Sequence, residues 1–174
     1  MANRHAPTEF RHYEAAHLRH MESLRKEGFI HEDNLTFEPK FGLVWLKGEI
    51  ACKGQILITV FKILDVLEGE GARALVQTSR YNYNASVQGY GNIIRRDNAH
   101  AHPGHANRFH VHRFDWKSGA ELGGSPNCCG PEGWPSLAEF IREVADWYHQ
   151  HAGELPDAQA VATLGLREGG PTGV

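Results

Sequence analysis

The chain has 174 residues, of which 41% are hydrophobic and 22% are charged, the composition of an ordinary globular domain. No apolar run approaches the roughly 20 residues that span a bilayer, and the N-terminus lacks the apolar segment of a signal peptide. We therefore expect a cytoplasmic protein with no membrane partner. Cys52, Cys128 and Cys129 lack zinc-ribbon spacing and are interpreted as free thiols.

Residues 8–27 are predicted to form an amphipathic helix. Apolar and aromatic side chains recur there at intervals of three and four residues, and Gly28 ends the pattern. Thr8 is a candidate N-cap because its hydroxyl can accept a backbone N–H. We expect this helix to cover an edge or an end of the sheet that follows.

From Phe41 onward the hydrophobic period changes to two, which is typical of strands. The connections as far as Asp97 are short, with a hairpin signal at residues 52–54, and this favours an antiparallel meander. Five strands are predicted, over residues 41–51, 54–66, 73–87, 91–97 and 108–116.

The C-terminal part contains an irregular segment, a helix and a tail. Residues 118–135 are rich in glycine and proline and are interpreted as a loop. Ser136 and Glu139 have the spacing of a capping box, and a wide apolar stripe follows, which predicts a helix that lies across the sheet.

These elements predict an α+β fold in a single domain over residues 1–151. Its antiparallel sheet of about five strands in a meander has N- and C-terminal helices packed on it. The remaining residues, 152–174, are rich in glycine, alanine and proline and are expected to form a flexible tail.

Charge and histidine are concentrated in one segment, residues 80–113. It contains five arginines and one acid and carries +4, whereas the rest of the chain carries −7. It also contains five of the twelve histidines. A basic, histidine-rich segment in an acidic protein is expected to face an anionic partner such as RNA.

Polar residues lie in pairs on three consecutive predicted strands. Alternate side chains of a strand share a face, so the pairs Tyr81 and Tyr83, Arg95 and Asp97, and His110 and His112 are predicted to converge at one end of the sheet. The predicted catalytic residues are His110, His112, His100, His102, Asp97, Arg95, Tyr81 and Tyr83. The predicted binding residues are Arg80, Arg96, Asn98, Arg108 and Arg113.

These residue types are sufficient for cleaving RNA without a cofactor. Imidazole can act as general base and imidazolium as general acid, and arginine can stabilise a developing oxyanion on the phosphate. One alternative is a metal-binding, hydrolase-like protein with zinc or another transition metal as cofactor. Its candidate metal ligands are His100, His102, His110 and His112. Another alternative is a non-enzymatic interaction protein that docks a partner through the basic segment.

The order of these motifs resembles the TumE family, small toxins of bacterial toxin–antitoxin systems. The family pattern is a Y-x-Y strand, then R-Y-D-N-A-P-H-H, then a histidine-rich strand and a C-terminal helix. Here Tyr81-x-Tyr83 precedes Arg95-Arg96-Asp97-Asn98-Ala99-His100, and His110-x-His112 follows. Arg96 stands where the family has tyrosine, and His100 where it has proline.

The resemblance covers about residues 40–150 and is specific only over residues 81–112. It implies a toxin that acts on RNA or translation and is partnered by a DNA-binding antitoxin protein. A homodimer is compatible with this reading.

Overall fold

One large antiparallel sheet forms the centre of the fold in this computed structural model, which describes residues 5–98, 109–126 and 133–165. Among those residues, no helix is long and apolar enough to cross a membrane. The strands are β1 (Thr8–Glu9), β2 (Ile30–Asp33), β3 (Thr36–Lys40), β4 (Leu43–Cys52), β5 (Ile56–Glu68), β6 (Leu75–Val87), β7 (Asn92–Asp97), β8 (His110–Phe114) and β9 (Glu121–Pro126). The helices are α1 (Phe10–Lys26) and α2 (Leu137–His151), with short 3-10 turns at Gly71–Arg73 and Ala152–Glu154.

The antiparallel α+β domain is confirmed, but its sheet has nine strands, where about five were predicted. The five predicted strands correspond to β4 through β8, and hydrogen bonds join β4 through β9 in chain order. β2 and β3 pair with successive parts of β4, and β1 pairs with the start of β6. β1, β2 and β3 are two, four and five residues long, too short to show a clear period of two.

The hairpin between β4 and β5 is confirmed, and its geometry requires glycine. Gly54 has a φ of +71°, and a Cβ added there would lie 2.6 Å from Cδ1 of Leu155. Gln55 follows with a φ of +57°. Two consecutive residues in the left-handed region match the twist of a tight hairpin turn.

Both helices pack on the same face of the sheet, here called the helix face. Met21 of α1 and Phe140 of α2 belong to one buried cluster with Val60 and Tyr83 of the sheet. As predicted, α1 covers an edge of the sheet, because Phe37 of the edge strand β3 packs against Tyr13 and His17, and its apolar stripe also reaches the buried cluster.

The helix starts differ in how well they were predicted. The capping box of α2 is confirmed: the Ser136 hydroxyl accepts the Glu139 backbone N–H at 3.2 Å, and the Glu139 carboxylate accepts the Ser136 N–H at 2.8 Å. Thr8 is not the N-cap of α1. It lies in β1, and Glu9 occupies the cap position without a side-chain hydrogen bond.

The segment after α2 is packed against the sheet as far as it is described. Leu155 and Ala162 are buried, and the backbone N–H of Ala162 donates to the carbonyl of Cys52 at 3.1 Å. Gln88 exchanges two hydrogen bonds with the backbone of Thr163. Residues 152–165, the start of the predicted flexible tail, thus contact the end of the core, and residues 166–174 lie outside the described part.

His17 lies on the inner side of α1, with its ring edge-on to Phe37 at a centroid distance of 5.3 Å. Burial lowers the pKa of His17 to about 4, from an ordinary value of 6.5. Asp33 opposes this shift, and Lys62 adds to it. The imidazole is therefore neutral in the folded protein at neutral pH.

The free energy of unfolding is expected to fall as the pH drops from about 6.5 to about 4, because the unfolded chain then binds a proton that folded His17 does not. Above about pH 6.5 the contribution of neutral His17 to the free energy of unfolding is fully present, and below about pH 4 it is lost. His17→Phe should remove about 1–2 kcal/mol of the difference in unfolding free energy between pH 7 and pH 5. Urea unfolding at both pH values measures this, with His149→Phe, an exposed position on α2, as the control. An unchanged pH dependence in His17→Phe would contradict it.

Candidate functional site

The pairing register of β6, β7 and β8 decides which predicted residues share a face. Asn82 lies opposite Asp97, which lies opposite His110. In the next row of the same face, Arg95 lies opposite His112. Arg95, Asp97, His110 and His112 therefore share the sheet face that points away from the helices, here called the histidine face.

Tyr81 and Tyr83 point to the helix face and belong to the core. They are 1% and 0% exposed, and their rings pack against Trp134 and Phe140 at centroid distances of 5.7 and 5.5 Å. Burial raises the pKa of Tyr83 to about 12 and raises the pKa of Tyr81 as well, so both phenols are protonated at neutral pH.

The predicted convergence of the tyrosines with the histidines was wrong. Alternation within each strand was predicted correctly, but it does not reveal the register between strands. Tyr83 lies opposite Arg96, not opposite Arg95. A register one residue away from the one required places the two sets of side chains on opposite faces.

The basic segment is divided between the faces in the same way. Arg80 and Arg95 point to the histidine face. Arg96 points to the helix face, where its Nε and terminal nitrogen donate to the Glu143 carboxylate at 2.7 and 2.9 Å, and Arg113 donates to the same carboxylate at 3.0 Å. The single basic patch predicted from the sequence is therefore corrected, because Arg96 and Arg113 join α2 to the sheet.

Five polar residues of the histidine face form a contiguous group, here called the His–Glu cluster: Arg95, Asp97, His110, His112 and Glu121. Nε of Arg95 donates to Oδ2 of Asp97 at 3.2 Å. Nδ1 of His112 lies 2.6 Å from Oε1 of Glu121, and the His110 and His112 ring centroids are 6.1 Å apart. Two imidazoles, two carboxylates and a guanidinium thus lie side by side.

Solvent exposure increases from one end of the His–Glu cluster to the other. Asp97 and His110 are 0% and 5% exposed. The side chains of His112, Arg95 and Glu121 are 14%, 32% and 45% exposed. Glu121 and Arg95 are therefore the members of the cluster most open to solvent, whereas Asp97, His110 and the Nε2 atom of His112 are buried.

Glu121 was missed by the sequence analysis. It begins β9, in a segment interpreted as a loop because of its glycines and prolines. β9 pairs with β8, and Phe114 lies opposite Glu121 in that pairing. The sequence contains no periodic signal for so short and glycine-rich a strand, so the partner of His112 becomes visible only when the pairing is known.

Asn98 has a structural role that the predicted binding role did not include. It is 6% exposed, its Oδ1 accepts the Tyr81 backbone N–H at 2.7 Å, and its Nδ2 donates to the carbonyl of Ser79 at 3.1 Å. These two bonds continue the pairing of β6 beyond the end of β7. Asn98 therefore holds the register on which the His–Glu cluster depends.

Three predicted site residues, His100, His102 and Arg108, lie outside the described residues, as do Cys128 and Cys129. Within residues 5–98, 109–126 and 133–165, no group of three or more histidine, cysteine, aspartate or glutamate side chains is arranged to hold a metal ion. The predicted metal ligands His110 and His112 belong to the His–Glu cluster, and Cys52 is a buried free thiol.

Asn98→Ala is expected to lower the free energy of unfolding by about 1–3 kcal/mol, because it leaves the buried Tyr81 N–H without its acceptor. The matched control is Asn92→Ala, which removes a half-buried side-chain bond to Asn84 and should cost less. Urea unfolding of both variants measures the difference. Equal losses would show that Asn98 does not hold the register.

No protein-family model, curated protein or solved structure matches this chain. The resemblance to the TumE family therefore stays a prediction, and functional inference depends on the geometry of the His–Glu cluster.

Proposed function

We propose that the protein is a metal-independent endoribonuclease whose active site is the His–Glu cluster. The observation that carries this proposal is a carboxylate-bound imidazole next to a second imidazole. His112 is hydrogen-bonded to Glu121 at 2.6 Å, and its ring centroid lies 6.1 Å from that of His110.

His112 acts as the general base. A carboxylate can only accept a hydrogen bond, so Nδ1 of His112 carries the proton that it donates to Glu121. In the neutral ring the lone pair is then on Nε2, a buried atom that in the proposed reaction takes the proton from a ribose 2′-hydroxyl. Glu121 stabilises the imidazolium that forms, as a carboxylate does in other base–carboxylate pairs.

His110 acts as the general acid, and Asp97 orients it. Asp97 lies directly opposite His110 across the β7–β8 pairing and is fully buried. Side chains directly opposite each other in a sheet are close enough to interact. Arg95 donates one of its five N–H groups to Asp97, and its partly exposed guanidinium can also bind a phosphate oxygen.

The reaction is an in-line displacement on phosphorus. The 2′-oxygen loses its proton to His112 and bonds to phosphorus, while the bond from phosphorus to the 5′-oxygen breaks and His110 gives that oxygen a proton. The attacking and leaving oxygens lie on opposite sides of phosphorus, which is why two separate proton-transfer groups are needed. The products are a 2′,3′-cyclic phosphate and a 5′-hydroxyl.

The resemblance to TumE supports a biological context for this chemistry. A toxin that cleaves RNA acts in the cytoplasm and is held inactive by a cognate antitoxin protein. The acidic remainder of the chain limits extended RNA contact. The proposed site therefore needs Arg80 and Arg95 of the histidine face to provide local positive charge.

His112→Ala is expected to lower the rate of RNA cleavage about 10²- to 10⁴-fold, because it removes the general base. The assay uses end-labelled RNA with excess EDTA, and His149→Ala, an exposed histidine of α2, is the control. The free energy of unfolding of both variants should stay within about 1 kcal/mol of the wild type. Equal cleavage by the wild type and His112→Ala would contradict the assignment, as would activity that appears only when zinc replaces EDTA.

Expression of the wild-type protein alone is expected to stop bacterial growth, whereas His112→Ala should not. Co-expression of the gene encoded next to it should restore growth if that gene encodes the antitoxin. Growth curves at matched protein levels measure both effects. Normal growth with the wild type at those levels would contradict the toxin context while leaving the cleavage assay to decide the chemistry.

A further inference from the structure

A cavity of about 260 Å³ lies between α1, the helix face and the start of α2. It is separate from the His–Glu cluster, which is on the other side of the sheet. Its lining includes Tyr13 and His17 of α1, Lys62 of β5 and Leu137 of α2. We call it the Lys62 pocket.

Lys62 is an unusual residue for its position. The alternation of β5 places it on the helix face in line with Ile58, Val60 and Leu64, and it is 5% exposed. No carboxylate of the described residues forms an ion pair with it. A buried ammonium without a counter-charge is costly, so lysines are rarely found in such places without a reason.

Two tyrosines, Tyr13 and Tyr83, lie beside the Lys62 ammonium. Burial by itself lowers the pKa of Lys62, but Tyr13 and Tyr83 beside it outweigh burial and raise the pKa above its ordinary value. The ammonium lies 5.1 Å from the centre of the Tyr13 ring. The side chain therefore brings an ammonium group to the wall of the pocket.

The remaining lining complements an anion with an apolar body. No aspartate or glutamate of the described residues lines the pocket, and His5, His12 and His20 are among its lining residues. The nearest acid to act on His17 is Asp33, which is itself paired with Arg25. Met21, Leu46 and Leu137 provide an apolar surface beside the charge.

We propose that the Lys62 pocket binds a small organic anion, with its oxyanion group on Lys62 and an apolar or aromatic body against Met21, Leu46 and Leu137. The volume is below the roughly 300–1,000 Å³ of typical drug-sized pockets, which limits the ligand to on the order of ten non-hydrogen atoms. Carboxylates and phosphate monoesters share this chemistry. The ligand is not the RNA substrate of the proposed reaction, since the two sites are on opposite faces.

Benzoate and benzamide are matched probes, because they have the same shape and differ in charge. Titration of the full chain by NMR, with the His17 ring resonances as the local readout, should show benzoate binding at least about tenfold more tightly than benzamide. Phenyl phosphate in a parallel titration identifies the head group: tighter binding than benzoate indicates a phosphate ester, and weaker binding indicates a carboxylate.

Lys62→Met should weaken the binding of the preferred anion at least about tenfold, because it removes the charge and keeps the length of the side chain. Lys47→Met is the control, since the Lys47 side chain is partly exposed and paired with Glu38 on the neighbouring strand. Unchanged affinity in a folded Lys62→Met variant would overturn the proposal. If that variant does not fold, equal binding of benzoate and benzamide by the wild type, or no shift of His17 with either anion, would overturn it.

Discussion

The chemistry of both sheet faces depends on the register in which β7 lies between β6 and β8. That register places Asp97 between Asn82 and His110, and Arg96 between Tyr83 and Val111. A shift of β7 and β8 by one residue relative to β6 would turn His110 and His112 toward α2, onto the same face as Tyr81 and Tyr83. Asn98 holds the register where the strand pairing ends, through its bonds to Tyr81 and Ser79. One buried amide therefore reinforces the register that places the titratable side chains.

The helix face and the histidine face of the sheet differ in composition and in burial. On the helix face, Tyr81, Tyr83 and the apolar stripes of α1 and α2 form the core, and Arg96 and Arg113 hold α2 through Glu143. On the histidine face, charged and imidazole side chains are partly buried among one another. Burying charged groups does not favour folding unless each is well paired. Clusters of partly buried titratable groups are therefore more typical of functional sites than of a structural core. This contrast supports assigning the proposed reaction to the histidine face and stability to the helix face.

The sequence predicted what depends on local pattern and missed what depends on pairing. The long strands β4 to β8 and the Ser136–Glu139 capping box follow from period and cap chemistry. Arg95, Asp97, His110 and His112 were correctly placed on one face, because their adjacent strands alternate in phase. The tyrosines were misplaced because the sequence of one strand does not reveal its register against the next. Glu121 was missed because a strand as short and glycine-rich as β9 has no recognisable hydrophobic period. Lys62 was missed too, because a single lysine in an apolar run is expected to face solvent. Only the packing of β5 in the structure shows that this side chain is buried.

The most direct test of the proposed chemistry is the structure of the RNA ends that the purified protein produces in EDTA. Mass spectrometry of a short oligonucleotide after digestion identifies them, and a substrate with a single 2′-deoxyribose at the cleaved position provides the control. A base imidazole acting on the 2′-hydroxyl and an acid imidazole acting on the 5′-oxygen predict a 2′,3′-cyclic phosphate, a 5′-hydroxyl and no cleavage of the deoxy substrate. A 3′-hydroxyl with a 5′-phosphate, or cleavage of the deoxy substrate, would show that water attacks phosphorus and would contradict this mechanism.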